Sequence, residues 1–354
     1  MWKIIFYPIA FIWAIAMLIR RRYYNAGRRQ KAPIITISVG NLCMGGSGKT
    51  PHIIYLYRLL EKYVNMATLS RGYGRKTKGC KIAQHSDTVS QIGDEPMIFL
   101  KNLPKATVAV AKNRLKAIKQ IIDLQSDMDV VLLDDAYQYL KLKPGLSILL
   151  TDYYHSYHKD FVFPVGHLRE PRVAAKDADI IIVTKSPKVL LPMDREYIMQ
   201  KIKPLPHQKV YFSYISFCNL CPLTTLAENI CVETLSSVVA VAGIANPYPF
   251  VTHIKNNYSE VQTCLYADHH IFQISNVKRW RFLLERSLSK NKAIIVTEKD
   301  AMRLLEPDIV HFIEDLPIFY LPIEIKFHQS DEELFNNQIL NYVADHYRTD
   351  NTNS

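Results

Sequence analysis

A glycine-rich segment between two apolar runs has the residue types that bind a chain of phosphates. It comprises Met44, Gly45, Gly46, Ser47, Gly48, Lys49, Thr50 and Pro51. The run PIITIS precedes it and HIIYLYRLL follows it, a pattern that predicts a strand, a loop and a helix. Glycines let successive backbone N–H groups turn toward one anion, and the positive end of the following helix faces that anion. The segment therefore predicts a nucleotide site.

Lys49 and Thr50 are expected to balance the charge of the nucleotide. In the pattern G-x-x-x-x-G-K-[ST] the lysine contacts the β- and γ-phosphates and the hydroxyl binds magnesium, although Cys43 replaces the first glycine here. Magnesium needs hard oxygen ligands, and Asp134 and Asp135 end DVVLLDD, the most apolar predicted strand. Adjacent carboxylates repel each other unless a cation joins them, which disfavours a merely solvated strand end. The expected cofactors are ATP and Mg²⁺, with the metal at Thr50, Asp134 and Asp135.

Three further polar segments lie beside apolar strands and could hold acid–base groups. A carboxylate–histidine pair can orient and tune a general base. Taken singly, each segment is also typical of a turn or a helix cap. The residues are Asp94 and Glu95 in GDEP, Arg169 and Glu170 in GHLREP, and Asp268, His269 and His270 in YADHHIF.

Two other ligand classes are less well supported. Phosphate-loop proteins that bind guanine use Asn/Thr-Lys-x-Asp after a late strand, but VTKSP has Pro187 where aspartate is needed and TEKD, 297–300, has the wrong register. ATP is therefore favoured over GTP. Cys218 and Cys221 form a CxxC, but neither a second CxxC nor a nearby histidine pair completes a zinc site, so reduced thiols are favoured.

Alternating strands and helices must position these residues. Apolar strands separated by helical periodicity predict an α/β fold, a phosphate-loop NTPase-type parallel sheet with helices on both faces. Strands are expected at 33–39, 65–70, 106–111, 129–135, 147–152 and 178–185, and helices at 50–63 and 114–122. A smaller α/β domain is expected to follow, with strands at 236–243 and 292–300 (the latter including a loop) and a helix near 247–256.

The chain of 354 residues is too long for one typical domain, so we expect division near a proline-bounded stretch at 203–223. The last segment pairs a return strand with a closing helix. The expected limits are 1–28 for an N-terminal anchor, 29–208 for the phosphate-loop core, 209–217 for a linker strand, 218–317 for the smaller domain, 318–328 for the return strand, and 329–354 for the closing helix and tail.

The net charge of +11 predicts an anionic partner. Basic residues concentrate near the N-terminus and at 71–81, rather than along a groove-sized helix with interleaved aromatics. That distribution argues against nucleic acid. A phosphorylated substrate or an anionic membrane surface fits it better.

The N-terminus predicts a shallow membrane anchor. Residues 4–19 carry no charge and are followed by RRRYYNAGRR. A helix of this apolar length is about 24 Å long, against a hydrocarbon core of about 30 Å. We expect a monotopic helix, with a buried core helix as the alternative. The arginines expected on anionic headgroups are Arg20, Arg21, Arg22, Arg28 and Arg29.

Together these segments resemble the tetraacyldisaccharide 4'-kinase family, the lipid A 4'-kinases of Gram-negative bacteria. The matching pieces, in the family's order, are VGNLCMGGSGKTP, SRGYGR, GDEP, DDAYQY, GHLREP, AGIANP, ADHHIF and VTEKDA. The resemblance implies a kinase core, a smaller C-terminal domain and a two-stranded linker. It also implies transfer of the ATP γ-phosphate to the 4'-hydroxyl of a tetraacylated glucosamine disaccharide 1-phosphate, at the cytoplasmic face of the bacterial inner membrane, with no obligate protein partner.

Carried over by motif, the resemblance implies a role for each group. Lys49 and Thr50 hold phosphate and magnesium, and Asp134 and Asp135 belong to the metal site. Asp94 is the catalytic base, assisted by His269 with Asp268. The second domain is expected to close over ATP and bring His269 in. Contacts with the phosphorylated substrate fall to Arg71, Arg169 and Glu170.

The chain departs from the family pattern at a few positions. DDAYQY stands where DDGFQH is usual, so Ala136 restricts a backbone position that glycine leaves free, and Tyr139 removes a histidine. His167 stands where proline is common. The geometry near residue 136 is the feature these changes put in question.

The rival hypothesis is a membrane-recruited phosphate-loop ATPase that switches a protein partner and phosphorylates nothing. It would share the loop, the paired aspartates and the anchor. GDEP and DHH have no evident use in such a switch, which favours the kinase.

Overall fold

The computed structural model describes residues 5–352, so the ends of the predicted anchor and tail, residues 1–4 and 353–354, lie outside the described residues. The helices and strands, numbered in chain order, are α1 (Tyr7–Asn25), β1 (Gln30–Lys31), β2 (Ile35–Asn41), α2 (Lys49–Leu60), β3 (Met66–Ser70), β4 (Lys81–Ile82), α3 (Val89–Ile92), α4 (Asp94–Asn102), β5 (Thr107–Val110), α5 (Arg114–Leu124), β6 (Val130–Asp134), β7 (Leu142–Lys143), β8 (Leu146–Asp152), β9 (Ile180–Thr184), α6 (Pro192–Ile202), β10 (Lys209–Phe217), β11 (Cys221–Pro222), α7 (Thr225–Glu228), β12 (Ser237–Ala242), α8 (Tyr248–Asn257), β13 (Glu260–Leu265), α9 (Ile274–Arg286), β14 (Lys292–Thr297), α10 (Glu298–Leu304), α11 (Pro307–Val310), β15 (Ile318–Leu321), β16 (Ile323–Phe327) and α12 (Gln329–Thr352).

The larger sheet has nine strands in the order β16-β10-β9-β8-β2-β6-β3-β5-β4. Its inner strands run parallel, and β4 and β16 join the two edges antiparallel. Every residue of β3, β6 and β9 is buried. Helices cover both faces of a parallel sheet, and this is why its strands are continuous apolar runs rather than alternating ones.

The carboxyl ends of β2, β6 and β3 lie side by side at one edge of this sheet. β2 pairs with β6 so that Val39 lies opposite Asp134, and β6 pairs with β3 on its other side. The loops that follow these strands carry the glycine segment, the paired aspartates and the basic segment 71–81. Parallel topology therefore brings together three motifs that are distant in sequence.

The second sheet has five strands in the order β11-β15-β14-β12-β13. Trp280 of α9 is fully buried beneath it and packs edge to face against Phe272. The expected linker strand 209–217 is β10, which pairs with β9 over its first half and with β16 over its second half.

The expected return strand, 318–328, divides between the two sheets. Its first part is β15 of the second sheet, and only β16 pairs with β10. Pro322 stands between them and has no N–H to continue a strand ladder. A second difference is at 298–300, expected to be a loop, where α10 begins directly after β14. The domain limits themselves remain a proposal.

Helix α1 exposes most of its apolar side chains instead of burying them in the core. Phe11, Ile12 and Ile19 are each about two-thirds exposed, and its buried residues are Ala10 and Arg21. Among the described helices, none is both long and apolar enough to cross a bilayer. The buried-helix alternative is therefore wrong for α1.

Two of the arginines expected on headgroups turn inward instead. Arg21 is buried and pairs with Glu170 and Asp177, and Arg29 donates to the same Asp177 at 2.7 Å. These ion pairs fix the C-terminal half of α1 and the segment after it against the nine-stranded sheet domain.

Candidate active site

The glycine segment forms a loop between β2 and the start of α2 at Lys49. Gly48 has φ 80°, a left-handed conformation that side chains disfavour, and it allows the chain to enter the helix. Lys49 is buried, with Nζ 3.6 Å from Oδ1 of Asp135. The hydroxyls of Ser47 and Thr184 are buried without a hydrogen-bond partner among the described residues. A bound polar ligand would satisfy such buried hydroxyls.

His52 fixes the base of the loop and was not predicted from the sequence. Its Nδ1 lies 2.7 Å from the Gly48 carbonyl oxygen, and its Nε2 lies 3.2 Å from Oγ of Ser213 in β10. Burial lowers the pKa of His52 to about 4, against the opposing effect of the Gly48 hydrogen bond. The ring is therefore neutral at pH 7, with Nδ1–H donating to Gly48 and Nε2 accepting from Ser213.

Asp134 is a buried carboxylate that is only half satisfied. Its Oδ2 accepts from Oγ of Ser70 at 3.1 Å, whereas Oδ1 has no partner among the described residues. Burial raises the pKa of Asp134 to about 8; Glu95 and Asp135 add to this rise and Lys49 opposes it. Such a carboxylate favours either a proton or a cation.

Asp135 is fully engaged by two cations. It has φ 46°, and its two oxygens accept from Nη1 of Arg169 at 3.1 and 2.9 Å, with Lys49 close to Oδ1. Burial alone would raise the pKa of Asp135, but the charges of Lys49 and Arg169 outweigh it and hold the pKa below its usual value. The two neighbouring aspartates thus have opposite electrostatic environments.

The oxygens at this edge fit a magnesium ion. The unpaired Oδ1 of Asp134 is a hard ligand, and Thr50 lies in the first turn of α2 beside the loop. Within residues 5–352, no group of three or more His, Cys, Asp or Glu side chains is arranged so that it could hold a metal ion by itself. Magnesium typically uses one or two protein carboxylates and takes its other ligands from phosphates and water.

Asp94, the expected base, lies at the start of α4 with three cationic or polar groups around it. Its Oδ2 lies 2.7 Å from Nη2 of Arg303, 3.1 Å from Nδ1 of His269 and 3.4 Å from Nζ of Lys299. Burial alone would raise the pKa of Asp94, but the hydrogen bond from His269 and the charges of Lys299 and Arg303 hold it well below its usual value. Asp94 is therefore ionised at pH 7.

His269 reaches Asp94 from the second domain. It has φ 58°, and its backbone N–H donates to Oδ1 of Asp268 at 3.0 Å. The Asp268 carboxylate also lies 3.8 Å from the ring Nε2, and the centroid of the Tyr73 ring lies 5.4 Å from that of the imidazole. The structure thus brings GDEP and DHH, two motifs distant in the sequence, into direct contact.

Of the remaining expected site residues, Arg71 and Arg169 lie near the paired aspartates, whereas Glu170 faces α1. Arg71 is exposed and directly follows β3. It affects the buried Arg114: burial is the main cause that lowers the pKa of Arg114, and the positive charge of Arg71 lowers it further. The negative charges of Asp134 and Asp135 act in the opposite direction. Arg169 contacts Asp135, but Glu170 is buried against Arg21 of α1. The expectation that Glu170 contacts substrate conflicts with this placement, because its carboxylate is already paired inside the protein.

The departures from the family pattern leave the backbone unstrained. Ala136 is not among the residues with positive φ; its neighbour Asp135 has the left-handed conformation instead. Tyr139 donates from its hydroxyl to Oδ1 of Asn113 at 3.0 Å. The backbone carbonyl of His167 accepts from the N–H of Met44 at 2.7 Å, which needs no particular side chain at 167.

The parallel sheet, the glycine loop and the aspartates at its edge define a phosphate-loop nucleotide-binding protein. The sequence model of the family described as tetraacyldisaccharide-1-P 4'-kinase matches residues 2–344. The chain belongs to this family.

Individual relatives agree over nearly the full length. The tetraacyldisaccharide 4'-kinase of Flavobacterium psychrophilum is 38% identical over 95% of this chain and 96% of its own. That of Phocaeicola vulgatus is 34% identical over 98% and 96%. A crystal structure of LpxK from Aquifex aeolicus in complex with ATP superposes with a TM-score of 0.73 at 26% identity, covering 97% of this chain and 100% of that one. The predicted family, fold class and enzyme class, an ATP-dependent kinase, are confirmed.

Proposed function

We propose that this chain transfers the γ-phosphate of ATP to the 4'-hydroxyl of a tetraacylated glucosamine disaccharide 1-phosphate, its family's reaction in lipid A biosynthesis, with Asp94 as the base. The observation that carries the base assignment is the buried Asp94 carboxylate, held ionised beside His269. Phosphoryl transfer needs positioning and charge neutralisation more than covalent chemistry. An ionised, oriented carboxylate supplies the one proton acceptor that the reaction requires.

The loop residues hold the donor nucleotide. Backbone N–H groups of 45–50 and the start of α2 would face the phosphates. Lys49, which lies beside Asp135, would contact the γ-phosphate. Thr50 and Asp134 would hold magnesium, which neutralises charge on the transferred phosphate. Asp135 positions Lys49 and Arg169 by its ion pairs instead of binding the metal directly.

Asp94 accepts the proton of the attacking hydroxyl. As the oxygen of the sugar attacks phosphorus, its O–H bond breaks and the proton moves to the carboxylate, while the bond to ADP breaks and ADP keeps the electron pair. Nδ1–H of His269 donates to Asp94 and fixes its orientation, and Asp268 fixes His269 in turn. His269 and Asp94 belong to different domains, so this arrangement forms only when the domains are together.

The proposed substrate carries acyl chains, so we expect the enzyme to work at a membrane surface. The exposed apolar side chains of α1 would enter the outer part of a bilayer, which confines the enzyme to the plane of its substrate. Beside the C-terminal end of α1 a cavity of about 540 Å³ is lined by Arg28, Lys116, Lys119 and Lys141. This basic surface suits lipid phosphates, which supports the proposal that the enzyme works at the cytoplasmic face of the inner membrane.

The decisive experiment is transfer of labelled γ-phosphate from ATP to tetraacyldisaccharide 1-phosphate in mixed micelles. Wild-type protein is expected to label the lipid, Lys49→Ala to abolish labelling, and Asp94→Asn to lower turnover at least about a hundredfold with the KM for ATP little changed. Thr234→Ala, an exposed change in the second domain, is the control. ATP hydrolysis without labelled lipid would instead support the ATPase switch. Labelling that survives Asp94→Asn would refute the assigned base.

A further inference from the structure

Arg303 occupies a place in the site that the proposed mechanism does not use. It lies in α10 of the second domain and is buried, yet its Nη2 donates across the domain boundary to Oδ2 of Asp94 at 2.7 Å. The two residues are 209 positions apart in the chain. A buried arginine at this distance orients a carboxylate as well as neutralising it, because its guanidinium is planar and always charged.

Asp300 holds Arg303 in this orientation. Nη1 of Arg303 donates to Oδ1 of Asp300 and to the Gly243 carbonyl oxygen, each at 2.8 Å. The other oxygen of Asp300, which is fully buried, accepts from the Gly243 N–H at 2.8 Å and from the Thr297 hydroxyl at 2.6 Å. Every one of these partners belongs to the second domain, so Arg303 is fixed there before it meets Asp94.

We propose that Arg303, held by Asp300, is a positioning residue for the kinase reaction: it orients the Asp94 carboxylate and keeps it ionised for the sugar hydroxyl. This inference rests on the proposed role of Asp94 as the base. It makes the second domain supply a fixed cation as well as His269 to the core domain.

The geometry also assigns different tasks to the two oxygens of Asp94. Oδ2 faces Arg303, His269 and Lys299, whereas Oδ1 accepts only the Glu95 N–H, at 3.1 Å, among the contacts described. A carboxylate oxygen has a second lone pair, so Oδ1 is the oxygen that can receive the substrate proton.

Nδ1 of His269 lies 3.3 Å from Nη2 of Arg303 as well as close to Asp94. That nitrogen cannot donate to Asp94 and accept from Arg303 at once, because it has one in-plane position. With its proton on Nδ1, His269 donates to Asp94, and Arg303 supplies the second, permanent charge. The two groups are therefore not redundant: Arg303 contributes a full positive charge, and His269 contributes an oriented hydrogen bond.

Several charged groups besides Arg303 surround Asp94 and affect its titration. Helix α10 contributes Lys299 and Arg303, and the loop after β13 contributes His269 with Asp268 behind it. Helix α4 itself contributes Glu95, which lies 3.8 Å from Lys299. Asp300 acts on Asp94 through Arg303. Removing Arg303 leaves Lys299 and His269 beside Asp94. The ionised form of the carboxylate is then less strongly stabilised, but it keeps two partners.

The test is direct titration of the Asp94 carboxylate by ¹³C NMR of protein labelled at aspartate, with Asp94→Asn to assign the signal. Arg303→Met is expected to raise the titration midpoint of Asp94 by about 1 to 3 on the pH scale, and Arg303→Lys to restore most of the wild-type value. Asp300→Asn should give an intermediate midpoint. Turnover should fall at least about tenfold in Arg303→Met with the KM for ATP unchanged, since Arg303 acts through Asp94 and not through the nucleotide.

Arg281→Gln is the matched control, because Arg281 forms an exposed ion pair with Asp315 in the same domain at 2.6 Å. It should change neither the midpoint nor turnover. If Arg303→Met does not fold, the double variant with Asp300→Asn removes both buried charges together and gives the same titration test. An unmoved Asp94 midpoint in a folded variant would overturn the inference. Full turnover in Asp94→Asn would refute the base instead, and the titration distinguishes the two failures.

Discussion

Arg21 of α1 donates from Nε to Oε2 of Glu170 at 3.0 Å, and both side chains are buried. Arg169, which directly precedes Glu170, donates to the carboxylate of Asp135, and Asp135 in turn lies beside Lys49. The indole Nε1 of Trp13 also donates to the Arg169 carbonyl oxygen, at 3.3 Å. The helix proposed to meet the membrane is therefore attached to the same short segment that orders the phosphate site.

Replacing Arg21 by methionine should lower the free energy of unfolding by about 3 to 5 kcal/mol. The reason is that Glu170 would remain as a buried carboxylate without its main partner. Urea denaturation of the full chain measures the change. Arg22→Met, on an exposed neighbour, should stay within about 0.5 kcal/mol of wild type. An equal decrease in the free energy of unfolding of the two variants would show that the buried Arg21–Glu170 pair does not contribute more to stability than an exposed arginine.

Ile12→Glu should weaken binding to vesicles that contain anionic phosphatidylglycerol by at least about tenfold, because an apolar contact is lost and a like charge is added. Ile12 is 67% exposed, so folding should be unaffected. Co-sedimentation with vesicles measures the bound fraction. Leu288→Glu is the control, since Leu288 is 99% exposed in the second domain, far along the chain from α1. Unchanged binding of Ile12→Glu would argue against insertion of α1.

His52 should make stability depend on pH between about 4 and 6.5. Burial lowers the pKa of His52 to about 4 in the folded protein, so in this window the unfolded chain binds more protons. Stability is therefore fully present above about pH 6.5 and is lost as pH falls toward 4, by up to about 3 kcal/mol. Urea denaturation at several pH values should show a shallower slope for His52→Asn, which keeps a donor near Gly48. Parallel slopes for the two proteins would contradict the assignment.

Much of the fold follows from local patterns in the sequence. The apolar runs 33–39 and 129–135 are β2 and β6, because strands buried on both faces are continuously apolar. The phosphate loop and Asp134 were expected at their ends, and parallel pairing puts them there. Helix α10 was missed although TEKD has the spacing of a cap: Thr297 Oγ1 accepts from the Asp300 N–H at 3.2 Å.

The contacts that the sequence did not reveal are long-range. Arg21 looks like its exposed neighbours in RRRYYN, and only the fold shows Glu170, 149 positions away, as its partner. Arg303 likewise has no local signal that separates it from a solvated helix residue, because its role depends on docking of the second domain. Ion pairs between elements distant in sequence need tertiary structure, whereas strands, caps and glycine loops need only neighbours.

Ala136→Gly and Gly40→Ala should have different consequences, although both exchange alanine and glycine near the aspartates. Ala136 is buried outside the positive-φ region, so glycine there adds backbone freedom to the unfolded chain and costs about 0.5 to 1 kcal/mol, with turnover unchanged. A Cβ on Gly40 would lie 2.5 Å from Cβ of Tyr137, so alanine must displace the chain after Asp135 and lower both stability and turnover. Urea denaturation and lipid labelling measure the two effects. A loss of turnover in Ala136→Gly would mean that the restricted backbone at 136 helps to order the catalytic edge in this chain.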